Sequence, residues 1–295
     1  MKKMITAIAV MFALSVLLPS PGSANVGINE KFGAPIVVYG GDLTAAEKES
    51  VSESLNVSEE VEVEEIEVTG QDLVTYIQDG DPRANMYSSA KITRKDAGED
   101  LVIQIVTPEN ITQVTTEMYA NAMLTAGIES ATVEVAAPKP VTGHSALVGI
   151  YKAYEVNGEQ LDPERTDVAN DELSVATELA DGEISDEKVS ELLTEIKKQI
   201  AENNPASREE VEQIVEEQLS KLQIELSPED RQLLIDLMDR IRKLDINFSE
   251  WSTQLEDISK TIGEGIGDIV NDEGFWQSVK DFFRNIANTI RSWFN

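Results

Sequence analysis

The segment from Thr115 to Glu155 constrains the fold more than any other. It reads TTEMYANAMLTAGIESATVEVAAPKPVTGHSALVGIYKAYE and is the most apolar, least charged stretch beyond the N-terminal leader. The pattern predicts an apolar helix, a tight turn at Gly127, a buried strand, a Pro-rich turn and a second helix. Elements this apolar belong inside a protein, so the flanking segments are expected to pack on them.

Upstream, Pro35 to Tyr39 (PIVVY) reads as a short β-branched strand. Gly40 and Gly41 turn it into a helix that reaches about Leu55, capped by Asp42 or Thr44, with Thr44 and Glu47 forming a capping box. Val61 to Val68 alternates with period two around one extra Glu, the mark of a one-sided strand with a bulge. A helix over about Gln71 to Gln78 follows. Ser88 to Arg94 and Leu101 to Thr107 read as two strands joined in a hairpin across Lys95 to Gly98. The order β-α-β-α-β-β-α-β-α over roughly residues 33 to 156 specifies a layered α/β unit with a mixed sheet.

From Asp162 onward the sequence offers only helix starts. Asp162 precedes Pro163 and Glu164, Ser185 precedes Asp186 and Glu187, and SREE (Ser207 to Glu210) and SPED (Ser227 to Asp230) repeat the signature. Apolar residues at helical spacing follow each, such as Val189, Leu192, Leu193 and Ile196, or Leu233, Leu234, Leu237 and Met238. The expected fold is therefore α+β: an N-terminal α/β layered domain with a mixed sheet, then an all-helical domain. The expected divisions are a signal peptide over 1–24, the α/β domain over 25–157, a helical bundle over 158–270 and an aromatic amphipathic helix over 271–295.

The leader begins with Lys2 and Lys3, continues through an apolar run from Met4 to Leu18, and ends with small residues suited to cleavage after Ala24. That run is shorter than the ~20 residues of a membrane span. The sequence thus predicts a secreted or envelope-associated protein, of the Cys-free kind common among exports of Gram-positive bacteria. Without cysteine, disulfides, lipid attachment at a cysteine and thiolate metal sites are all excluded. A formal net charge of −31 opposes nucleic acid, whose binding requires Lys and Arg to neutralise phosphates.

Gly263, Gly265 and Gly267 interrupt the helical pattern as a hinge. Beyond them Phe275, Trp276, Val279, Phe282, Phe283, Ile286, Ile290, Trp293 and Phe294 fall within one stripe about 120° wide at 100° per residue. Lys280, Arg284 and Arg291 lie beside it. Such a helix either docks on the bundle or makes contact with a membrane surface or protein partner.

Four patterns invite a catalytic or ligand-binding reading. Gly143-His144-Ser145-Ala146-Leu147 resembles a nucleophile elbow but lacks its second Gly. His144 is the chain's single histidine, and an adjacent imidazole seldom reaches a serine hydroxyl, so Ser145 is expected to cap a helix. Asp181 to Ser185 (DGEIS) copies the middle of an EF-hand loop, yet Thr177, Leu179 and Lys188 fall where oxygen ligands are required. Tyr39-Gly40-Gly41-Asp42 sits where a phosphate loop would, without its Lys and with an opposing Asp42. The many carboxylates offer pairs for glycoside hydrolysis, and sequence selects none of them. The reading therefore assigns no catalytic residue, no cofactor and no metal.

The segments VVYGGDLTAAEK, TPENIT, MYANAMLTAGI, ATVEVAAP and GHSALVGIYKAYE resemble the YpuA-like exported proteins of Bacillus-type bacteria, a domain-of-unknown-function family. The resemblance spans nearly the whole mature chain and implies an exported protein working at or outside the cell surface, with no family catalytic residues to carry over. The expected function is a non-enzymatic envelope or extracellular protein that acts by binding, with the C-terminal helix as its contact. The competing expectation is an Asp/Glu-dependent hydrolase of cell-wall polymers.

Overall fold

The computed structural model describes residues 33–262, apart from 61, 79, 183, 248–250 and 261. The leader and the aromatic C-terminal segment lie outside the described residues. The first half runs β1 (Ile36–Gly40), α1 (Ala45–Ser54), a 3-10 turn (Val57–Glu59), β2 (Glu64–Val68), α2 (Gly70–Tyr76), β3 (Ser89–Arg94), β4 (Val102–Ile105), α3 (Thr116–Ala126), β5 (Ala131–Ala136) and α4 (His144–Val156). The strands form one mixed sheet in the order β2-β1-β3-β5-β4. β1 and β2 are parallel, β4 and β5 are parallel, and β3 runs antiparallel to both β1 and β5.

β3 and β4 are not a hairpin. β5 lies between them, paired with β3 from Ser89↔Ala136 to Arg94↔Ala131 and with β4 from Val102↔Thr132 to Ile105↔Val135. The Lys95–Leu101 connection crosses the end of β5 instead of closing a turn, held by Lys95 N–H to the Ser130 carbonyl (3.2 Å) and Ser130 Oγ to the Glu99 carbonyl (2.8 Å). β5 carries Ala131, Val133 and Val135 on one face, all buried, and an interior position lets its backbone pair on both sides. β2 starts at Glu64, later than the alternation suggests, because its partner β1 begins opposite it at Ile36.

Alternation decides what each face meets. Ile36, Val38, Ile92, Val133 and Val135 join one core with residues of α3 and α4. Val37, Tyr39 and Ala136 point the other way, onto Val51 and Leu55 beside α1. Every residue of α3 from Met118 to Ala126 is buried, and so are eight of α4, as expected of helices enclosed by other elements.

The second half supplies α5 (Pro163–Ala180), α6 (Asp186–Asn203), α7 (Arg208–Leu222) and α8 (Pro228–Lys243), with further helix over 251–260. Asp162, Ser185, Ser207 and Ser227 each accept a first-turn N–H, so all four sequence caps are made. α5 lies along α3, and one continuous apolar core passes from the sheet across residues 157–158 to Trp251 and Leu255.

Inside that core sits an ion pair. Lys197 Nζ lies 2.8 Å from Glu172 Oε1, with both side chains almost wholly buried. Lys197 also donates to the Asn121 carbonyl (2.8 Å) and to Thr125 Oγ1 (3.2 Å), and Thr125 donates to the second Glu172 oxygen. The Trp251 ring closes the site 5.1 Å from the ammonium. Charges this deep persist only when hydrogen bonds replace lost water, which three helices here supply.

A neutral cleft at the start of helix α4

Three segments meet where α4 begins: the turn after β1, the loop entering β3, and residues 141–145. Asp42 fixes the first two. Its Oδ2 accepts from Met86 N–H at 2.7 Å, and its own N–H donates to the Met86 carbonyl at 3.1 Å. Asp42 is thereby taken from capping α1. Thr44 does that, accepting from Glu47 N–H while Glu47 returns a bond to Thr44 N–H at 2.9 Å. Tyr39 to Asp42 is thus a strand-to-helix turn pinned to its neighbour.

Gly143 fixes the third segment. It occupies the left-handed region at φ 105°, where a Cβ would sit 2.7 Å from Tyr119 Oη and 2.9 Å from Ile111 Cγ2. Its carbonyl accepts from Tyr119 Oη (2.6 Å), Ser88 Oγ (3.2 Å) and Ala146 N–H (3.1 Å). Gly143, not Ser145, is the residue at the N-terminal cap of α4. The expectation for Ser145 is corrected accordingly: it is the second residue of the helix, and its hydroxyl turns across to Ser88, the residue just before β3. There it accepts from Ser88 N–H at 3.2 Å and pairs with Ser88 Oγ at 2.5 Å.

His144 points elsewhere. Its Nε2 lies 3.4 Å from Thr177 Oγ1 on α5. Burial lowers its pKa below the ordinary histidine value, so the ring is neutral at pH 7. Ser145 and His144 are adjacent in sequence yet engaged with different partners, one with Ser88 and one with α5.

The loop entering β3 and residues 141–145, with side chains from α2 and α5, enclose a cleft of about 540 Å³, inside the ~300–1,000 Å³ typical of small-ligand pockets. Leu73, Ile77, Met86 and Val141 form apolar walls. Asn85, Thr142 and Asn170 add neutral polar groups around His144. None of the described lining residues carries a formal charge, on a chain of net charge −31. At the edge, the Lys139 ammonium stands 3.9 Å from the Tyr87 ring centroid and 2.8 Å from Glu47 Oε1, which joins the cleft wall to α1.

Sequence reasoning reached this place only through Gly143 to Ser145. Leu73 and Ile77 fall within the helix expected over about Gln71 to Gln78, and Asn170 follows the helix start at Asp162, with nothing to single them out. Their convergence depends on α2 and α5 packing beside α4. Asp181 ends α5 and Ser185 caps α6, and among the described residues no three His, Asp or Glu side chains converge as metal ligands. No described helix is long and apolar enough to cross a membrane. Phe275, Trp276, Phe282, Phe283, Ile286, Ile290, Trp293 and Phe294, the expected contact residues, lie outside the described residues.

No solved structure matches the chain. The uncharacterized protein YpuA of Bacillus subtilis (strain 168) is 32% identical over 302 residues, covering 100% of both chains. A family model described as "Protein of unknown function (DUF1002)" matches residues 39–258, from the end of β1 to the last described helix. With most of its length matched by that model and its whole length by that relative, the chain belongs to the DUF1002 family.

Proposed function

We propose that this protein is exported, works at the cell envelope or outside the cell, and acts by binding rather than by catalysis. Its ligand is an uncharged, amphipathic small molecule or chain end held in the cleft at the start of α4. The observation that carries the reading is the cleft's lining: neutral hydrogen-bonding groups set over apolar walls, with the imidazole and the serine hydroxyl each committed to a different neighbour. A general base must lie within hydrogen-bond reach of the proton it takes, and His144 and Ser145 have no such relationship. The Lys2–Ala24 leader supports export. The aromatic segment around Trp276 and Trp293 is the contact that holds the protein to a membrane surface or protein partner.

The test uses isotope-labelled protein beginning at Asn25. Uncharged glycan fragments and end-blocked peptides are titrated while the amide signals of Asn85, Gly143 and Asn170 are followed. Binding that shifts these signals and weakens about tenfold in Asn170→Leu is the expected result. Turnover of purified cell wall, abolished by neutralising one carboxylate in a variant that still folds, would replace this reading with a hydrolase.

A further inference from the structure

The two edges of the sheet are defended differently. β2, at one edge, is EEIEV, and its charged side chains discourage another strand from pairing there. β4, at the other, is VIQI and carries no charge, and Val102 is 45% exposed. An uncharged apolar edge is a liability that proteins commonly cover with a helix or loop.

Beside β4 runs a groove of about 210 Å³ between the strand, α3 and the helix over 251–260. Its floor is apolar, from Leu101, Val102, Ile103, Ala120 and Ile258. Its rim is acidic, from Asp100, Glu117 and Asp257. It is smaller than the ~300 Å³ at the low end of ligand pockets, and suits side chains from a docked element.

The chain itself contains a segment of matching character. Residues 275–295 hold the aromatic stripe, with Lys280, Arg284 and Arg291 against Asp281: three positive minus one negative, +2 in side-chain charge on a protein of −31. At 100° per residue all three basic positions fall together on one flank of the stripe. An apolar band flanked by bases complements an apolar floor rimmed by acids. The tether also starts in the right place. Ile258 lines the groove, Ile262 is buried just beyond it, and residues 263–274 can span up to about 40 Å. A tethered segment meets its site at an effective concentration near the millimolar range.

We propose that the aromatic segment 275–295 seats its stripe in the groove beside β4, with its basic flank against Asp100, Glu117 and Asp257, and covers the open edge of the sheet. This deepens the contact role proposed above: the groove holds the segment until a membrane or partner competes for it.

The full-length chain lacks cysteine, which makes disulfide trapping clean. Val102→Cys is paired in turn with cysteine at Val279, Ile286 and Ile290, and oxidised at low protein concentration. A second series places the fixed cysteine at Val156, which is equally exposed (46%) at the end of α4. The expected result is an intramolecular disulfide from position 102 at several times the yield from position 156, falling several-fold when Asp100, Glu117 and Asp257 are replaced by Lys. Equal yields from the two positions, no closure from either, or yields indifferent to the charge reversal would overturn the proposal. Binding of full-length protein to vesicles of neutral and anionic lipid is measured in parallel. Trapping without vesicle or partner binding leaves docking standing and removes the contact role. Vesicle binding without trapping does the reverse.

Discussion

The Tyr119 hydroxyl donates to the Gly143 carbonyl across 2.6 Å in the interior, and this bond joins α3 to the residue from which α4 starts. Burial raises the Tyr119 pKa, keeping the phenol protonated and a donor. Tyr119→Phe removes one of three donors to that carbonyl and is expected to cost about 1–2 kcal/mol. Gly143→Ala costs more, because it adds left-handed strain to a Cβ 2.7 Å from the same hydroxyl. Removing the hydroxyl relieves part of that clash. In urea unfolding, the double variant Tyr119→Phe/Gly143→Ala should therefore be less destabilised than the two single costs combined. Strict additivity would show that the two residues do not share a site.

The Lys197–Glu172 pair makes the second prediction. Lys197→Met leaves a buried carboxylate without its cation, a change expected to cost about 3–5 kcal/mol. Lys197→Met combined with Glu172→Met removes both charges and should recover much of that loss. Trp251, whose ring lies 5.1 Å from the ammonium, reports the event. Its emission should move to the red in the single variant and return towards the original wavelength in the double one, as read by fluorescence during denaturant titration.

The elements were legible because each was signalled locally: Pro or Ser, Asp and Thr at helix starts, period-two alternation in the strands, Gly at turns. The order of β and α elements through Val156 follows from those signals alone. Strand order did not, and the β3–β4 pair shows why. Two strands with a short polar link look like a hairpin from within their own twenty residues. The placement of β5 between them is decided by the later segment Ala131–Ala136, whose Ala131, Val133 and Val135 join the core while Glu134 pairs with Lys91 of β3. Ser145 misled for a similar reason. A serine before an apolar helix reads as a cap, and only the approach of Ser88, just before β3, gives its hydroxyl a different partner. The cleft was the least legible feature, since Leu73, Ile77 and Asn170 carry no signal until three helices bring them together.

Acid should weaken the α1 end of the cleft wall. The hydrogen bond from Lys139, followed by those from Thr44, lowers the Glu47 pKa from 4.5 to about 2. A carboxyl group lowered on folding contributes stability that is fully present above its unfolded pKa and is lost as pH falls through the folded value. The wild-type advantage over Glu47→Gln should therefore be constant from about pH 7 down to about pH 5, shrink below pH 4.5, and vanish near pH 2. Thermal melts at intervals across that range measure it, and a difference that persisted unchanged to pH 2 would show that the carboxylate is not engaged. Tyr87 should feel the same transition through Lys139, which stands over its ring.

Ser145 separates a structural hydroxyl from a nucleophilic one. Its Oγ accepts from Ser88 N–H, and since Ser88 Oγ donates to the Gly143 carbonyl, the Ser145 proton is directed to Ser88 Oγ. That arrangement gives the hydroxyl both its hydrogen bonds and no base. Ser145→Ala is therefore expected to cost about 1–2 kcal/mol, by leaving Ser88 N–H without its acceptor just before the central strand β3. Ligand binding in the cleft should weaken by less than threefold, because the altered group faces β3 while Asn85 and Asn170 remain. His144→Gln should be milder in stability, since the 3.4 Å approach to Thr177 is long for a hydrogen bond. A serine-directed fluorophosphonate probe completes the comparison: it should label wild type no faster than Ser145→Ala. Labelling that required both Ser145 and His144 would mean that the imidazole turns from α5 to the hydroxyl in solution, and the cleft would then have to be read as an acyl-transfer site.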